Sequence, residues 1–209
     1  MKTILQIVLL IVIIGLSYAI YESIQQPIRF QQKQKEPATA VIERLKGIRD
    51  AQVAYRTLNS RYTGSFDTLI SFIETAKLPL VRMEGSLSDS LIAEGVTEVK
   101  ALAMGLIKRD TVYVNAKDSL FKKGFNPDSL RYVPFTNKAQ FEMGAGEIVT
   151  GSGVKVQVFE AKVPNKVYLN GLDEQEIINL NDMAKKLDKY AGIKVGSLEE
   201  ANNNAGNWE

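Results

Sequence analysis

Carboxylate side chains gather at one place in the sequence where they could bind a cation. Asp173, Glu174 and Glu176 form a short acidic run, and Ca²⁺ is bound in proteins by clustered carboxylate oxygens. The same residues suit the start of an α-helix, because the partial positive charge of a helix N-terminus stabilises acidic side chains. Asp173 and Glu176 also have the spacing of a capping box. We interpret the run as a helix start and predict no metal site.

Three lysines lie where the same predicted helix would end, at Lys185, Lys186 and Lys189. They could contact anionic lipid or an acidic partner. Cations in the last turn of a helix are also stabilised by the helix dipole, however. We therefore expect these lysines to serve the helix end.

The absence of histidine and cysteine removes most catalytic and metal-binding chemistry. The chain contains neither residue, which excludes Ser-His-Asp triads, thiolate nucleophiles and zinc sites built from His or Cys. Gly144-Ala145-Gly146 precedes a predicted strand rather than a helix, so it does not form a phosphate-binding loop. Two acids distant in sequence could still meet in space and hydrolyse glycosides. We predict no catalytic, cofactor-binding or metal-binding residues, and so not an enzyme.

Length and charge favour a single anchored domain. The chain has 209 residues, with 26 Lys and Arg against 24 Asp and Glu. This balance is not typical of a nucleic-acid surface, which carries a basic excess. We expect no nucleic-acid partner and predict no small-molecule ligand from any motif.

The N-terminal segment is apolar on every face. No charged residue occurs from Thr3 to Tyr21, and about 20 apolar helical residues suffice to cross the hydrocarbon core of a bilayer. Tyr18 and Tyr21 lie where an interfacial aromatic belt is expected. We interpret residues 3–21 as the membrane contact of a retained, single-pass anchor.

A cleaved signal peptide is the alternative interpretation of this segment. Lys2 would be its basic region, Ile4 to Leu16 its apolar region, and Ser17-Tyr18-Ala19 its small-x-small cleavage site. The apolar character continues to Ile24, which favours retention. Lysines and an arginine follow the segment and count against export under the positive-inside rule, but long C-terminal domains often cross regardless. We therefore expect a bacterial inner-membrane protein whose domain lies in the periplasm.

Residues 25–37 are polar and contain Pro27 and Pro37. We interpret them as a stalk or a bent helical continuation. From Ala38 to Leu58, apolar residues recur at three- and four-residue spacing, which predicts an amphipathic helix ending at Asn59-Ser60. The sequence thus divides into an anchor (1–24), a polar stalk (25–37) and an extracytoplasmic domain (38–209).

The rest of the domain mixes helical and strand patterns. A second helix is predicted from Ser65, and a short helical pattern occurs near Thr97 to Leu106 in the otherwise irregular region Ser86–Gly105. Asp-Ser-Leu occurs at Asp89, Asp118 and Asp128, where we expect turns or caps followed by an apolar anchor. The following list gives the predicted strands, with a hairpin connection at Gly151–Gly153: Val112–Val114, Leu130–Phe135, Ile148–Val149, Val154–Val158 and Val167–Leu169.

The last helix should begin after Asp173 and stop by Gly192. The chain's single tryptophan, Trp208, lies in the C-terminal segment. It should pack on an apolar edge of its own domain, or else be captured by a partner. These elements predict an α+β fold: a transmembrane helix and helical stalk, then helices packed on a mainly antiparallel sheet.

The stretch Ala51-Gln52-Val53-Ala54-Tyr55, followed by Asn59 and by Arg61 to Leu69, resembles the end of the N-terminal helix of type IV pilins and type II secretion pseudopilins. In that family a similar tyrosine-containing helix end leads into a turn and a short helix. The prepilin-peptidase signature, of the type Gly-Phe-Thr-Leu-Ile-Glu, is missing here, as is the glutamate near the start of the apolar run. The whole chain is also similar to uncharacterised single-pass envelope proteins of Gram-negative bacteria, a resemblance that implies no activity.

Two functions are consistent with these features. The resemblance implies a non-enzymatic envelope component, pseudopilin-like in layout, that contacts other envelope proteins. Such a component should expose an apolar patch or an open strand edge. The alternative is a membrane-tethered ligand-binding or sensor domain, which should instead contain a deep pocket with a few convergent polar groups.

Overall fold

A computed structural model describes residues 2–84, 95 and 97–209. Its first element, α1, is one continuous helix from Lys2 to Asn59 that passes through both Pro27 and Pro37. Its 58 residues extend roughly 87 Å at 1.5 Å per residue. The apolar part is entirely exposed, and it is long and apolar enough to span a membrane.

The domain packs along the C-terminal half of α1. The buried stripe of α1 includes Val41, Leu45, Ile48 and Tyr55, as the three- and four-residue spacing predicts. The segment predicted as a stalk takes part in this packing, because Phe30 belongs to the core cluster. Gln26 also donates a hydrogen bond of 2.8 Å to Asp173 of the domain. The domain therefore contacts α1 only a few residues beyond the apolar segment.

The other helices are short, and the first of them begins as predicted. Helix α2 spans Phe66–Thr75 and is capped by Ser65, whose hydroxyl accepts from the Thr68 amide. Helix α3 spans Glu98–Ala103 and is capped by Thr97 in the same way. The remaining helices are α4 (Ala116–Leu120), a 3₁₀ helix (Pro127–Arg131), α5 (Asn165–Tyr168) and α6 (Glu174–Lys186). Asp89, a predicted cap, lies outside the described residues.

Two antiparallel sheets complete the domain, which confirms the predicted α+β class. Strands β1 (Lys77–Glu84) and β2 (Lys108–Asn115) form a two-stranded ribbon. Strands β3 (Glu142–Val149), β4 (Lys155–Pro164) and β5 (Gly192–Gly196) form a three-stranded sheet in sequence order. The predicted hairpin connection joins β3 to β4, closed by the Thr150 amide on the Val154 carbonyl at 2.9 Å.

Two predicted strands are wrong. Residues 130–135 form no strand, because Asn126 caps Asp128 and Pro127 starts a 3₁₀ helix that runs to Arg131. Only an isolated bridge between Tyr132 and Gln140 remains there. Residues 167–169 lie at the end of α5 and just after it rather than in a strand.

Helix α6 begins after Asp173 as predicted, but it ends at Lys186 and not near Gly192. The backbone of Asp188 takes a left-handed conformation with φ of 53°. Such a residue terminates a helix. Gly192 instead begins β5.

Candidate functional site

The predicted acidic run is a helix cap. One Asp173 oxygen accepts from the Glu176 amide at 3.1 Å, and the other accepts from Gln26. The hydrogen bond from the Glu176 amide is the main reason that the pKa of Asp173 lies below its usual range. Among the described residues, no group of three acidic side chains is arranged to hold a metal ion. The Asp173 carboxylate therefore binds protein groups.

A buried ion cluster on the three-stranded sheet is the main charged feature that sequence patterns missed. Glu160 on β4 is only 8% exposed. Its carboxylate contacts the ammonium of Lys162 at 2.8 Å and that of Lys194 at 3.3 Å. Lys162 also lies 5.6 Å from the centre of the Tyr190 ring. Because Lys194 is 34 residues from Glu160 along the chain, only the β4–β5 register brings these charges together.

The electrostatics of this ion cluster do not favour proton transfer. Burial by itself raises the pKa of Glu160, but the hydrogen bonds and charges of Lys162 and Lys194 outweigh it, so the pKa lies below its usual value. The hydrogen bond to Glu160 raises the pKa of Lys162. Burial raises the pKa of Tyr190 to about 12. Since a general acid or base works best with a pKa near the ambient pH, these groups hold the fold rather than shuttle protons.

A cleft beside α1 has the composition of an interaction site, and we call it the aromatic cleft. Its volume is about 530 Å³. One wall is the polar face of α1, and the other comes from the segment that follows β2. The α1 residues are Ala40, Glu43, Arg44, Lys46, Gly47 and Asp50, and the opposite wall is formed by Leu120, Phe121, Lys122, Phe125, Leu130, Pro134 and Phe135.

Local packing fixes the floor of the aromatic cleft. Phe121 and Phe125 stack with ring centres 4.3 Å apart. Gly47 allows this wall to approach α1, because a Cβ at that position would lie 3.2 Å from the Phe121 ring. Arg44 donates a hydrogen bond to the carbonyl of Ser129, and burial lowers the pKa of Arg44. These contacts hold the segment after β2 against α1.

Phe135 projects from the rim of the aromatic cleft. It is 69% exposed, and its backbone is left-handed with φ of 59°. That conformation is uncommon and costly for a bulky residue, so the surrounding structure must hold it. The Val133 amide donates to the Ala139 carbonyl at 2.8 Å, and the Thr136 hydroxyl donates to the Val133 carbonyl at 2.7 Å. The loop thus presents an aromatic side chain to solvent at the expense of backbone strain.

The aromatic cleft lies far from the apolar end of α1. Gly47 is 26 residues beyond Tyr21, or about 39 Å along a straight helix. A second cleft of about 550 Å³ lies much closer, lined by Glu22, Gln26, Arg29, Phe30, Lys33, Gly171, Leu172 and Asp173. Its lining is mostly polar, and Glu22 and Arg29 pair with each other across 3.2 Å. Of these two clefts, the aromatic cleft is the one whose lining includes an exposed aromatic ring, that of Phe135.

Comparison with known proteins gives no relative. No family model, no curated protein and no solved structure matches the chain. The functional assignment therefore depends on the geometry described above.

Two of the three lysines predicted at the end of α6 lie there, and the prediction for Lys189 is wrong because the helix ends earlier. Lys185 and Lys186 occupy the last turn, and Lys189 follows it. Trp208 packs against the core of its own domain, as one of the two interpretations of the tail expected. In contrast, the aromatic cleft was not predicted. The signal in the sequence was the pair Phe121 and Phe125, two aromatic residues four positions apart.

Proposed function

We propose that this chain is a non-enzymatic, single-pass protein of the bacterial inner membrane whose domain lies in the periplasm. It acts as a structural or assembly component, pseudopilin-like in layout, by contacting other envelope proteins. The observation that supports this role is the aromatic cleft. One wall of the cleft belongs to α1, the same helix whose apolar part is long enough to span a membrane. The distance of about 39 Å along α1 supports contact with a protein rather than with the lipids of that membrane.

The chemistry of the aromatic cleft suits a protein partner. Aromatic side chains in fixed pockets dominate the binding energy of protein interfaces. Phe135 is mostly exposed, and Phe121 and Phe125 line the groove beside it. Since a strained backbone holds Phe135 out of its own core, the ring is available to a neighbour. The cleft would receive an apolar side chain of the partner between these rings.

A photo-crosslinking amino acid at position 135 tests the proposal in full-length protein in native membranes. We expect one adduct with an envelope protein, identified by mass spectrometry and recovered again when that partner carries the tag. Phe121→Ala should reduce this adduct because it removes the cleft wall. Position 154, exposed at the β3–β4 turn, is the matched control and should give no such adduct. Equal labelling from both positions, or none from position 135, would reject the proposal.

Membrane topology needs a separate measurement. Intact mass of the protein from washed membranes should correspond to the full chain, and protease added to spheroplasts should cleave the domain. A mass that lacks Met1 to Ala19 would show a cleaved signal peptide and a secreted domain. The assembly role would then be abandoned in favour of a binding module.

The alternative, a membrane-tethered ligand-binding or sensor domain, is favoured by the cleft volume. About 530 Å³ lies within the usual range of small-molecule sites, roughly 300–1,000 Å³. The charged side chains of Glu43, Lys46 and Asp50 line the same cleft. Native mass spectrometry of the detergent-released protein distinguishes the two roles, because a ligand-binding domain should retain a small molecule that Phe121→Ala releases.

A further inference from the structure

The two sheets have four outer edges, and within residues 2–84, 95 and 97–209 three of them are protected. An exposed edge presents unpaired N–H and C=O groups that can bind another strand, so stable proteins usually cover or interrupt it. The edge of β5 is covered by the C-terminal segment, which bridges Val195 to Gly206. The Gly196 amide donates to the Ala205 carbonyl, and the Asn207 amide donates to the Lys194 carbonyl, both at 3.0 Å.

The edge of β3 is covered near its middle by the loop after α1. A Cβ at Gly64 would lie 3.3 Å from the backbone nitrogen of Ala145. Buried Gln52 fixes this loop by accepting from the Thr63 amide at 3.1 Å and donating to the Thr63 carbonyl at 2.5 Å. A further strand therefore cannot pair along the full length of β3.

The edge of β1 is interrupted by Pro79. The Ala116 amide donates to the Ala76 carbonyl at 2.9 Å, which makes that pair hydrogen-bonded. Hydrogen-bonded and non-hydrogen-bonded pairs alternate along an antiparallel ladder. The Pro79–Tyr113 pair lies three positions along the ladder from Ala76–Ala116 and is therefore a non-hydrogen-bonded pair. Both residues thus turn their backbone groups away from the partner strand. Proline has no N–H to offer there.

The edge of β2 is the exception. By the same alternation, the residues at 109, 111, 113 and 115 turn their backbone groups away from β1. Among the described residues, no strand pairs with this edge. Apolar side chains on the ribbon are also exposed: Leu80 by 48%, Val112 by 41% and Tyr113 by 66%. A two-stranded ribbon by itself is only marginally stable in water.

We propose that β2 pairs with β2 of a second copy of this chain, antiparallel and with the twofold axis at Val112, to form a four-stranded sheet. In this register Thr111 lies opposite Tyr113 of the second copy, and Arg109 lies opposite Asn115. All four outward-facing residues of each strand then find backbone partners. Val112 faces its own equivalent in a non-hydrogen-bonded pair.

The side chains match this register. Leu80 pairs with Val112 within one ribbon, so the twofold axis creates an apolar row of Leu80, Val112, Val112 and Leu80 across four strands. Asp110 lies opposite Val114 of the second copy, and no like charges face each other directly. Cross-strand apolar pairs stabilise a sheet, whereas directly opposed like charges destabilise it. This self-complementarity favours a second copy over an unrelated strand.

The β2 pairing adds self-association to the proposed assembly role. It rests on that proposal in one respect, because it needs the membrane anchor. A seven-residue edge is a small interface, but anchoring both copies in one membrane raises their effective concentration. The lining of the aromatic cleft contains no residue of β1 or β2. Failure of the β2 pairing would therefore leave the cleft experiment at position 135 unaffected, and the reverse also holds.

Disulfide cross-linking of Val112→Cys tests the pairing, because the chain has no other cysteine. The variant is oxidised as full-length protein in membranes and run on a non-reducing gel. Opposed residues of a non-hydrogen-bonded pair have Cα atoms about 4.5 Å apart, within the range that a disulfide spans. We expect most of the protein at twice the chain mass. Val154→Cys, also exposed at 57%, is the matched control for random collision and should remain monomeric.

Thr111→Pro provides the disrupting variant. It removes an outward N–H without breaking the β1–β2 ladder, as Pro79 already does on the other strand. Combined with Val112→Cys, it should abolish the dimer band while the adduct from position 135 persists. As a second measurement without variants, the amides of Thr111 and Tyr113 should exchange hydrogen more slowly in membranes than in dilute detergent.

Three results would overturn the pairing. The first is an absence of dimer with Val112→Cys, and the second is an equal dimer yield from Val154→Cys. The third is cross-linking of Val112→Cys to a different protein, which would assign the β2 edge to a heterologous strand.

Discussion

The three-stranded sheet and the β1–β2 ribbon use the same antiparallel pairing but differ in what surrounds them. The sheet packs Phe159, Ala161 and Val163 into the core and holds the Glu160 ion cluster at its second face. Both of its edges contact other segments of the chain. The ribbon packs on the core near its root, through Leu78 and beside buried Ala116, and its residues Leu80, Val112 and Tyr113 are exposed. The sheet is completed within one chain, whereas the ribbon needs a neighbour.

The two regions should differ most in how far a large-to-small substitution lowers the free energy of unfolding. Phe159 is fully buried on β4, with its ring centre 4.9 Å from that of Tyr62. Phe159→Ala should lower the free energy of unfolding by about 3–5 kcal/mol, since a large cavity is left in the core. Val112→Ala in the ribbon should change it by less than about 0.5 kcal/mol when the protein is monomeric.

Urea unfolding of the full-length protein in detergent, followed through the fluorescence of Trp208, measures both variants. Trp208 suits this purpose because it is the only tryptophan and packs against the core. Equal losses of stability from the two variants would show that the ribbon is as integral to the folded monomer as the sheet.

Local sequence signals predicted the helix starts correctly. Ser65 and Asp173 each cap a helix as expected, and a helix lies within the helical pattern noted near Thr97 to Leu106. A cap depends only on the next three residues, so no knowledge of distant contacts is needed. The end of α1 at Asn59 followed from the same kind of local reasoning.

Elements whose identity depends on distant contacts were harder. Strand β1 was not predicted. It contains Pro79 as its third residue, and a proline fits a strand at an outer edge, which only the tertiary structure shows. The strand predicted at residues 130–135 was wrong because a short apolar run cannot by itself distinguish a strand from a 3₁₀ helix.

The candidate sites depend even more on tertiary structure. The aromatic cleft joins Gly47 of α1 to Phe121, which is more than 70 positions later in the chain. The charges of Glu160 and Lys194 meet only through the strand register. Sequence spacing indicates neither arrangement, whereas it did indicate the cap formed by Asp173.

A smaller, pH-dependent effect should come from the ion cluster on the sheet. Glu160→Gln should lower the free energy of unfolding at pH 7 by about 2 kcal/mol, because it weakens hydrogen bonds to charged groups. The pKa of Glu160 is lower in the folded protein than its usual value. Its stabilisation is therefore present above the unfolded pKa, about 4.3, and is lost as the pH falls through the folded pKa.

Urea midpoints between pH 7 and pH 2 measure this effect. The wild-type protein should lose stability more steeply than Glu160→Gln below about pH 4.3. Glu147→Gln is the control, because Glu147 forms its ion pair with Lys155 at an exposed position. Such exposed pairs contribute little. Parallel pH profiles for wild type and Glu160→Gln would show that the ion cluster does not stabilise the sheet.

The smallest effect should appear at the β5 edge, where the C-terminal segment replaces a fourth strand. The Asn207 side chain accepts from the Lys194 amide at 3.0 Å and donates to the Gly192 carbonyl at 2.9 Å. Asn207→Ala should cost about 1 kcal/mol and increase hydrogen exchange at the Lys194 amide. Asn170→Ala, at an exposed asparagine after α5, should do neither. If exchange at Lys194 is unchanged, the C-terminal segment does not protect β5, and the contrast between a covered sheet edge and an open ribbon edge fails at this strand.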